Sequence, residues 1–217
     1  MLLPWCIMPK NNLFLQTKIK MTRLNTDIRK EQIKKAVLKI IKDEGINAVS
    51  TKNLAAEIGL SEGAIFRHFK KKRDIIRSIV DDVSNDLIGA LKNIANSQEK
   101  PRTKLREYLC YTINYLLENN GITILLFSEA THSNDNDILA QLKYIFNAQR
   151  LYLEQILQEG VVQGIWDEKV NLQDASQLYM GIPVTLNINQ ILSPGNFDQT
   201  DYCNRMLNLI EKMLQKK

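Results

Sequence analysis

The chain has 217 residues, a mass of 25.0 kDa and 44% hydrophobic residues, enough for one large domain, or a small domain joined to a larger one, around a real core. Its longest apolar runs, Ile122 to Phe127 and the stretch around Ile182 to Leu186, fall far short of the roughly eighteen residues a membrane span needs, which excludes a membrane role. The net charge of +5 is unevenly spread: residues 1–80 hold 17 Lys and Arg against 7 Asp and Glu, a net of +10, while residues 81–217 hold 12 against 17, a net of −5. A basic head on an acidic body is the distribution expected of a protein that grips a polyanion at one end.

Met1 to Met8 are mostly apolar, but no basic region precedes them and no small-residue cleavage site follows, so they do not read as a secretory signal and the expected location is cytoplasmic. Residues 1–24 are expected to be a flexible arm or a mis-assigned start, with translation beginning at Met21. Cys6, Cys110 and Cys203 lie far apart without CxxC spacing and only two histidines are present, so no cofactor or metal is expected and the cysteines read as buried or free thiols.

From Asp27 to Glu44, Ile33, Ala36, Val37, Ile40 and Ile41 recur at the spacing of one buried helix face, and Gly45 supplies the stop. Ser50 and Thr51 offer hydroxyls for a second, two-turn helix whose stripe Leu54, Ala55 and Ile58 ends at Gly59. Ser61 caps a third helix with Ile65 and Phe69 turned inward. A fourth helix runs from near Lys72 through Ile75, Ile79, Val83 and Leu87 to Leu91, leaving a 25–72 domain for a 73–217 body. Helices then follow from Thr103 to Glu118, Ile122 to Thr131, Asp135 to about Glu159, Leu172 to Leu192 and Asp201 to Gln215. Breaks fall at Asn119 to Gly121, at HSNDND, at Gly164 to Asp167 and at Ser193-Pro194-Gly195. The expected fold is all-α with about nine helices.

With Thr51 as first position, Ala55, Gly59 and Ile65 fall at the fifth, ninth and fifteenth places of a helix-turn-helix. A small residue lets the two helices approach, glycine supplies positive φ in the turn, and isoleucine plugs the gap. The third helix then presents Glu62, Gly63, Phe66 and Arg67 outward, with His68 at its end. Gly63 allows close approach of the backbone to DNA, and Arg67 is suited to a bidentate contact with guanine. Lys70, Lys71, Lys72 and Arg73 follow as phosphate-neutralising cations. The candidate DNA-binding residues are Thr51, Lys52, Ser61, Glu62, Gly63, Ala64, Phe66, Arg67, His68, Lys71 and Lys72.

The stretch TKNLAAEIGLSEGAIFRHFKKKRDII, with Phe66-Arg67-His68-Phe69 closing the third helix and Lys72 soon after, resembles the DNA-binding signature of the TetR family of bacterial transcriptional regulators. Tyr is commoner in that family where Phe66 stands, so a phosphate contact from its hydroxyl is missing. The resemblance implies that Thr51 touches phosphate as the cap of the second helix, that Lys72 clamps the start of the fourth, and that a homodimer binds a palindromic double-stranded DNA operator, commonly as a repressor. It also implies that a small effector, largely apolar given the aromatic supply, sits in the body. The candidate lining is Tyr108, Tyr111, Tyr115, Phe127, Tyr144 and Tyr179, with Glu129 and His132 as possible polar groups. Leu178, Ile182, Leu186, Met206, Leu209, Ile210 and Met213, on the last two helices, are the candidate dimer surface, and Pro183 is expected to kink its helix. Nothing assembles an enzyme: no carboxylate and histidine cluster, no phosphate loop, no nucleophile beside a base. A nucleoid-binding architectural protein using the same head is the alternative.

Overall fold

The computed structural model describes residues 26–119, 121–193 and 201–215. The proposed arm, Cys6 and the Pro194-Gly195 break lie outside them. Among the described residues the secondary structure is helical throughout: α1 Thr26–Glu44, α2 Thr51–Ile58, α3 Glu62–His68, α4 Lys72–Asp82, α5 Ile88–Ala95, α6 Pro101–Glu118, α7 Ile122–His132, α8 Asn136–Val162, α9 Leu172–Leu192 and α10 Tyr202–Leu214. A π-helical segment, Val83–Leu87, joins α4 to α5 without a break. Counted as one run, Lys72 to Ala95 brings the total among the described residues to nine, with a short 3-10 turn at Ile46–Ala48 besides, as the apolar periodicity predicts.

The predicted stripe of α1 is buried, and α2 and α3 pack across it. Ser50, one residue before Thr51, caps α2 by accepting from the backbone nitrogen of Asn53 at 3.1 Å. Gly59 adopts φ 67°, the left-handed turn the motif requires. Ser61 caps α3 by accepting from the nitrogen of Ala64 at 3.3 Å.

Around α6 the body packs α5, α8, α9 and α10, burying Leu105, Tyr108, Leu153, Trp166 and Tyr179. Lys104 is buried with its ammonium donating to Glu159 Oε2 at 2.7 Å and to the Ala95 carbonyl at 2.9 Å, which closes the end of α5. Head and body touch where α7 begins: a Cβ on Gly121 would lie 2.4 Å from the Leu38 carbonyl oxygen, so only glycine lets α7 meet the backbone of α1. Lys34 of α1, also buried, pairs with Glu31 and with Asp82 at the end of α4.

Cys110 of α6 and Cys203 of α10 are bonded, with Cα atoms 5.5 Å apart, which corrects the reading of these two as separate thiols. The pairing is invisible in the sequence because 93 residues separate the partners and only the return of α10 against α6 joins them. Reduction, or Cys110→Ser, is expected to lower stability by about 2–4 kcal/mol. Urea denaturation with and without reductant measures this. Thiol titration of the unreduced, denatured chain should find one free thiol, since two of three cysteines are bridged; three would refute the bridge.

Candidate nucleic-acid interface and effector cavity

Packing of α3 follows from Ile65, which is 1% exposed, and from buried Phe69. With that side anchored, Glu62, Gly63, Phe66 and Arg67 are exposed, Phe66 by 43%, and Ala64 is half-buried. A Cβ on Gly63 would meet nothing within 4 Å, so the outer side of α3 is open. Lys52, Ser61, Lys71 and Lys72 are exposed around it. Thr51 is the first residue of α2 rather than its cap, and its hydroxyl donates to Glu62 Oε2 at 2.6 Å. The two candidate contacts on neighbouring helices thus hold each other.

His68 departs from the outward set. It is half-buried, its Nδ1 is enclosed without a hydrogen-bond partner, and burial, followed by the nearby charges of Arg29, Lys30 and Arg67, pulls its pKa below the usual imidazole value. Its imidazole therefore packs partly into the head instead of standing out from α3.

Arg73 also departs from its phosphate reading. Its guanidinium turns toward the body and donates from Nη1 to Glu129 Oε2 at 2.6 Å, from Nε to Asp135 Oδ2 at 3.2 Å and from Nη2 to Ser133 Oγ. Arg77, one turn on, donates to Asp135 Oδ2 at 3.0 Å and to Asp137 Oδ2 at 3.3 Å. Asp135 meanwhile caps α8, its Oδ1 accepting from the nitrogens of Asp137 and Ile138. The Ile138 amide, with Arg73 and Arg77 beside it, lowers the Asp135 carboxyl to about 2. Glu129 therefore belongs to this link and not to a pocket, while His132 lies exposed beside it.

A cavity of about 510 Å³ opens among the π segment, α6, α7, α8 and α9, within the range of small-molecule sites. Val83 and Leu87 of the π segment, Tyr115 of α6, Phe127 of α7 and Met180 and Pro183 of α9 form part of its wall. Of the six candidate lining aromatics only Tyr115 and Phe127 reach it. Tyr108 and Tyr179 are buried in the core, their hydroxyls donating to the carbonyls of Gln149 and Leu105. Tyr111 stacks on Tyr115 at 6.5 Å between ring centroids without lining the cavity, and Tyr144 stands on the surface. The aliphatic wall was missed because its residues share the spacing of ordinary core. Helix α9 runs on through Pro183.

On α9 and α10, Leu178, Leu209 and Met213 are exposed, Ile182 and Met206 are partly buried, and Leu186 and Ile210 turn into the chain's own core. Val184, Ile188 and Leu192 extend the exposed apolar stripe of α9. No described helix is long and apolar enough to cross a membrane.

Comparison with known proteins places these features. Residues 33–79, covering most of α1 through α4, match the model of bacterial regulatory proteins of the tetR family. The nucleoid occlusion factor SlmA of Photorhabdus laumondii is 25% identical over 132 residues, 60% of this chain and 66% of that protein, just under two thirds of its length. The ketosteroid transcriptional regulator KstR2 of Mycobacterium tuberculosis superposes with a TM-score of 0.75 at 13% identity, covering 87% of this chain and 96% of that one. The transcriptional regulator FadR of Bacillus subtilis, solved in complex with stearoyl-CoA, superposes with a TM-score of 0.66 at 21% identity over 83% and 96% of the two chains. The DNA-binding head therefore belongs to the tetR family of bacterial regulatory proteins, carried on a body with the all-α fold of such regulators.

Proposed function

We propose that the chain is a ligand-responsive transcriptional repressor that binds a palindromic operator as a homodimer and is released by a largely apolar effector. The observation that carries this reading is the continuous helical run Lys72 to Ala95: its first turn adjoins the recognition helix, and further along Val83 and Leu87 form wall of the 510 Å³ cavity. An occupant that pushes on the π segment bears on α4, which packs on α1, the helix against which α2 and α3 are held. In a dimer this changes the distance between two recognition helices that must enter major-groove half-sites about one helical turn, or a multiple of it, apart. Release then requires only that the effector prefer the spacing that does not fit. The exposed stripe of Leu178, Val184, Ile188 and Leu192 on α9 with Leu209 and Met213 on α10 supplies an apolar surface for pairing. FadR, solved in complex with stearoyl-CoA, supports an occupant that carries a long apolar chain.

Two variants test the head. Arg67→Ala is expected to cost about 1–3 kcal/mol on the specific site and little on random DNA. Lys72→Ala should weaken both about equally and flatten the salt dependence. Titration of labelled duplexes at several salt concentrations measures both, and identical behaviour of the two variants would undo the assignment of roles.

The match to SlmA, a nucleoid occlusion factor, favours a second reading in which the same head marks dispersed chromosomal sites. Genomic occupancy separates the two: a few promoter-proximal sites accord with repression, many scattered ones with a nucleoid role.

A further inference from the structure

Thr112, Thr123, Lys143, Asn147 and Gln149 interrupt the otherwise largely apolar cavity wall, and among them Thr123 is enclosed and unpaired while Lys143 alone is cationic. The Oγ1 of Thr123, in the first turn of α7, is enclosed without a hydrogen bond, whereas the hydroxyl of Thr112 on the same wall donates to the Tyr108 carbonyl at 2.8 Å. A buried hydroxyl left unpaired costs about 1–3 kcal/mol, so Thr123 favours an occupant that brings an oxygen to it. Lys143 of α8 also lines the cavity and forms no ion pair among the described residues. It is exposed, as are Phe127 and Phe146 of the same wall at 70% and 52%, so the ammonium stands where the cavity meets solvent. No aspartate or glutamate lines the cavity to neutralise it or to receive a cationic ligand.

Resting on the reading of this cavity as the effector site, we infer that the effector is an elongated apolar molecule with one anionic end, held at Lys143, and one hydroxyl or carbonyl oxygen in its skeleton, held at Thr123. The apolar body supplies burial along Val83, Leu87 and Met180, and the two polar groups set its direction. Desolvation favours that direction twice: the charged end stays in contact with water, and the enclosed hydroxyl is satisfied only by an oxygen carried inside.

Isothermal titration of the full chain with dodecanoate, dodecanol, dodecylamine and ω-hydroxydodecanoate tests this. Dodecanoate is expected to bind about fivefold more tightly than dodecanol, the scale of one partly solvated ion pair, and dodecylamine least tightly. The ω-hydroxy acid should exceed dodecanoate by a further few-fold, the scale of one hydrogen bond. In Lys143→Glu the order of dodecanoate and dodecylamine should invert. In Thr123→Val the advantage of the hydroxy acid should vanish while dodecanoate is unaffected. Met180→Trp, which fills the cavity, should abolish binding of all four, with circular dichroism confirming that each variant folds. Equal affinity for dodecanoate and dodecanol, or an unchanged order in Lys143→Glu, overturns the anionic class and leaves the effector-site reading standing if Met180→Trp blocks binding. Full binding by a folded Met180→Trp overturns both.

Discussion

Ile65→Ala is expected to lower the stability of the chain by about 2–5 kcal/mol and to abolish specific DNA binding under conditions where the body is still folded. Helix α3 has seven residues, too few to persist in water without tertiary support. Its support comes from Ile65 and Phe69, both buried, and from the close approach of α2 at Ala55, whose carbonyl accepts from Leu60 at 2.9 Å across the turn. Truncating Ile65 removes the plug between the helices and leaves a cavity that Ala55 is too small to fill. Ile65→Val keeps most of the plug and should cost about 0.5–1.5 kcal/mol with operator binding retained. Urea denaturation paired with operator titration measures both quantities. An Ile65→Ala protein that loses stability but binds its operator with unchanged affinity would show that DNA is read by some other element.

The contrast between head and body explains what the sequence made readable. In the head every required signal is local: caps at Ser50 and Ser61, positive φ at Gly59, and Ala55 and Ile65 at fixed offsets within twenty or so residues. Spacing and residue type therefore carried the helix-turn-helix and its outward residues. His68 and Arg73 were misplaced for a shared reason: each stands in or beside a run of cations, and only its long-range neighbours decide whether it faces DNA or protein. In the body, tyrosines at helical spacing do not distinguish cavity wall from core. Tyr108 and Tyr115 lie on one helix two turns apart, yet the first is sealed in the core and the second reaches the cavity. The π segment has no sequence mark, since Val83 and Leu87 continue the apolar pattern of an ordinary helix.

Removing Arg73 tests how the head is tied to the body. Its side chain is 33% exposed, that of Glu129 only 9%, and the first turn of α4 reaches through it to α7 and to the cap of α8. Arg73→Ala leaves the Glu129 carboxylate enclosed without its cation. The expected loss of stability is about 3 kcal/mol, at the lower end of the usual cost of breaking a buried pair, because water reaches the guanidinium side. Pairwise Coulomb gain alone would predict much less, since Arg77 remains on Asp135. The pH dependence separates the contributions. Asp135, held at about 2 by the Ile138 amide and by Arg73 and Arg77, binds its proton less readily folded than unfolded. Its stabilising charge is therefore fully present above the ordinary aspartate value of about 4 and is lost as pH falls from there through about 2. Asparagine caps a helix as well as aspartate does, so Asp135→Asn removes the charge and keeps the cap. The stability gap between wild type and Asp135→Asn should hold constant near neutrality and close as the pH is lowered across that window, as urea midpoints at successive pH values will show. A gap that persists undiminished to the bottom of the window would mean that the Asp135 charge, and with it the pairing to the arginines of α4, does not carry the difference, and that head and body are joined chiefly through Gly121 and Lys34.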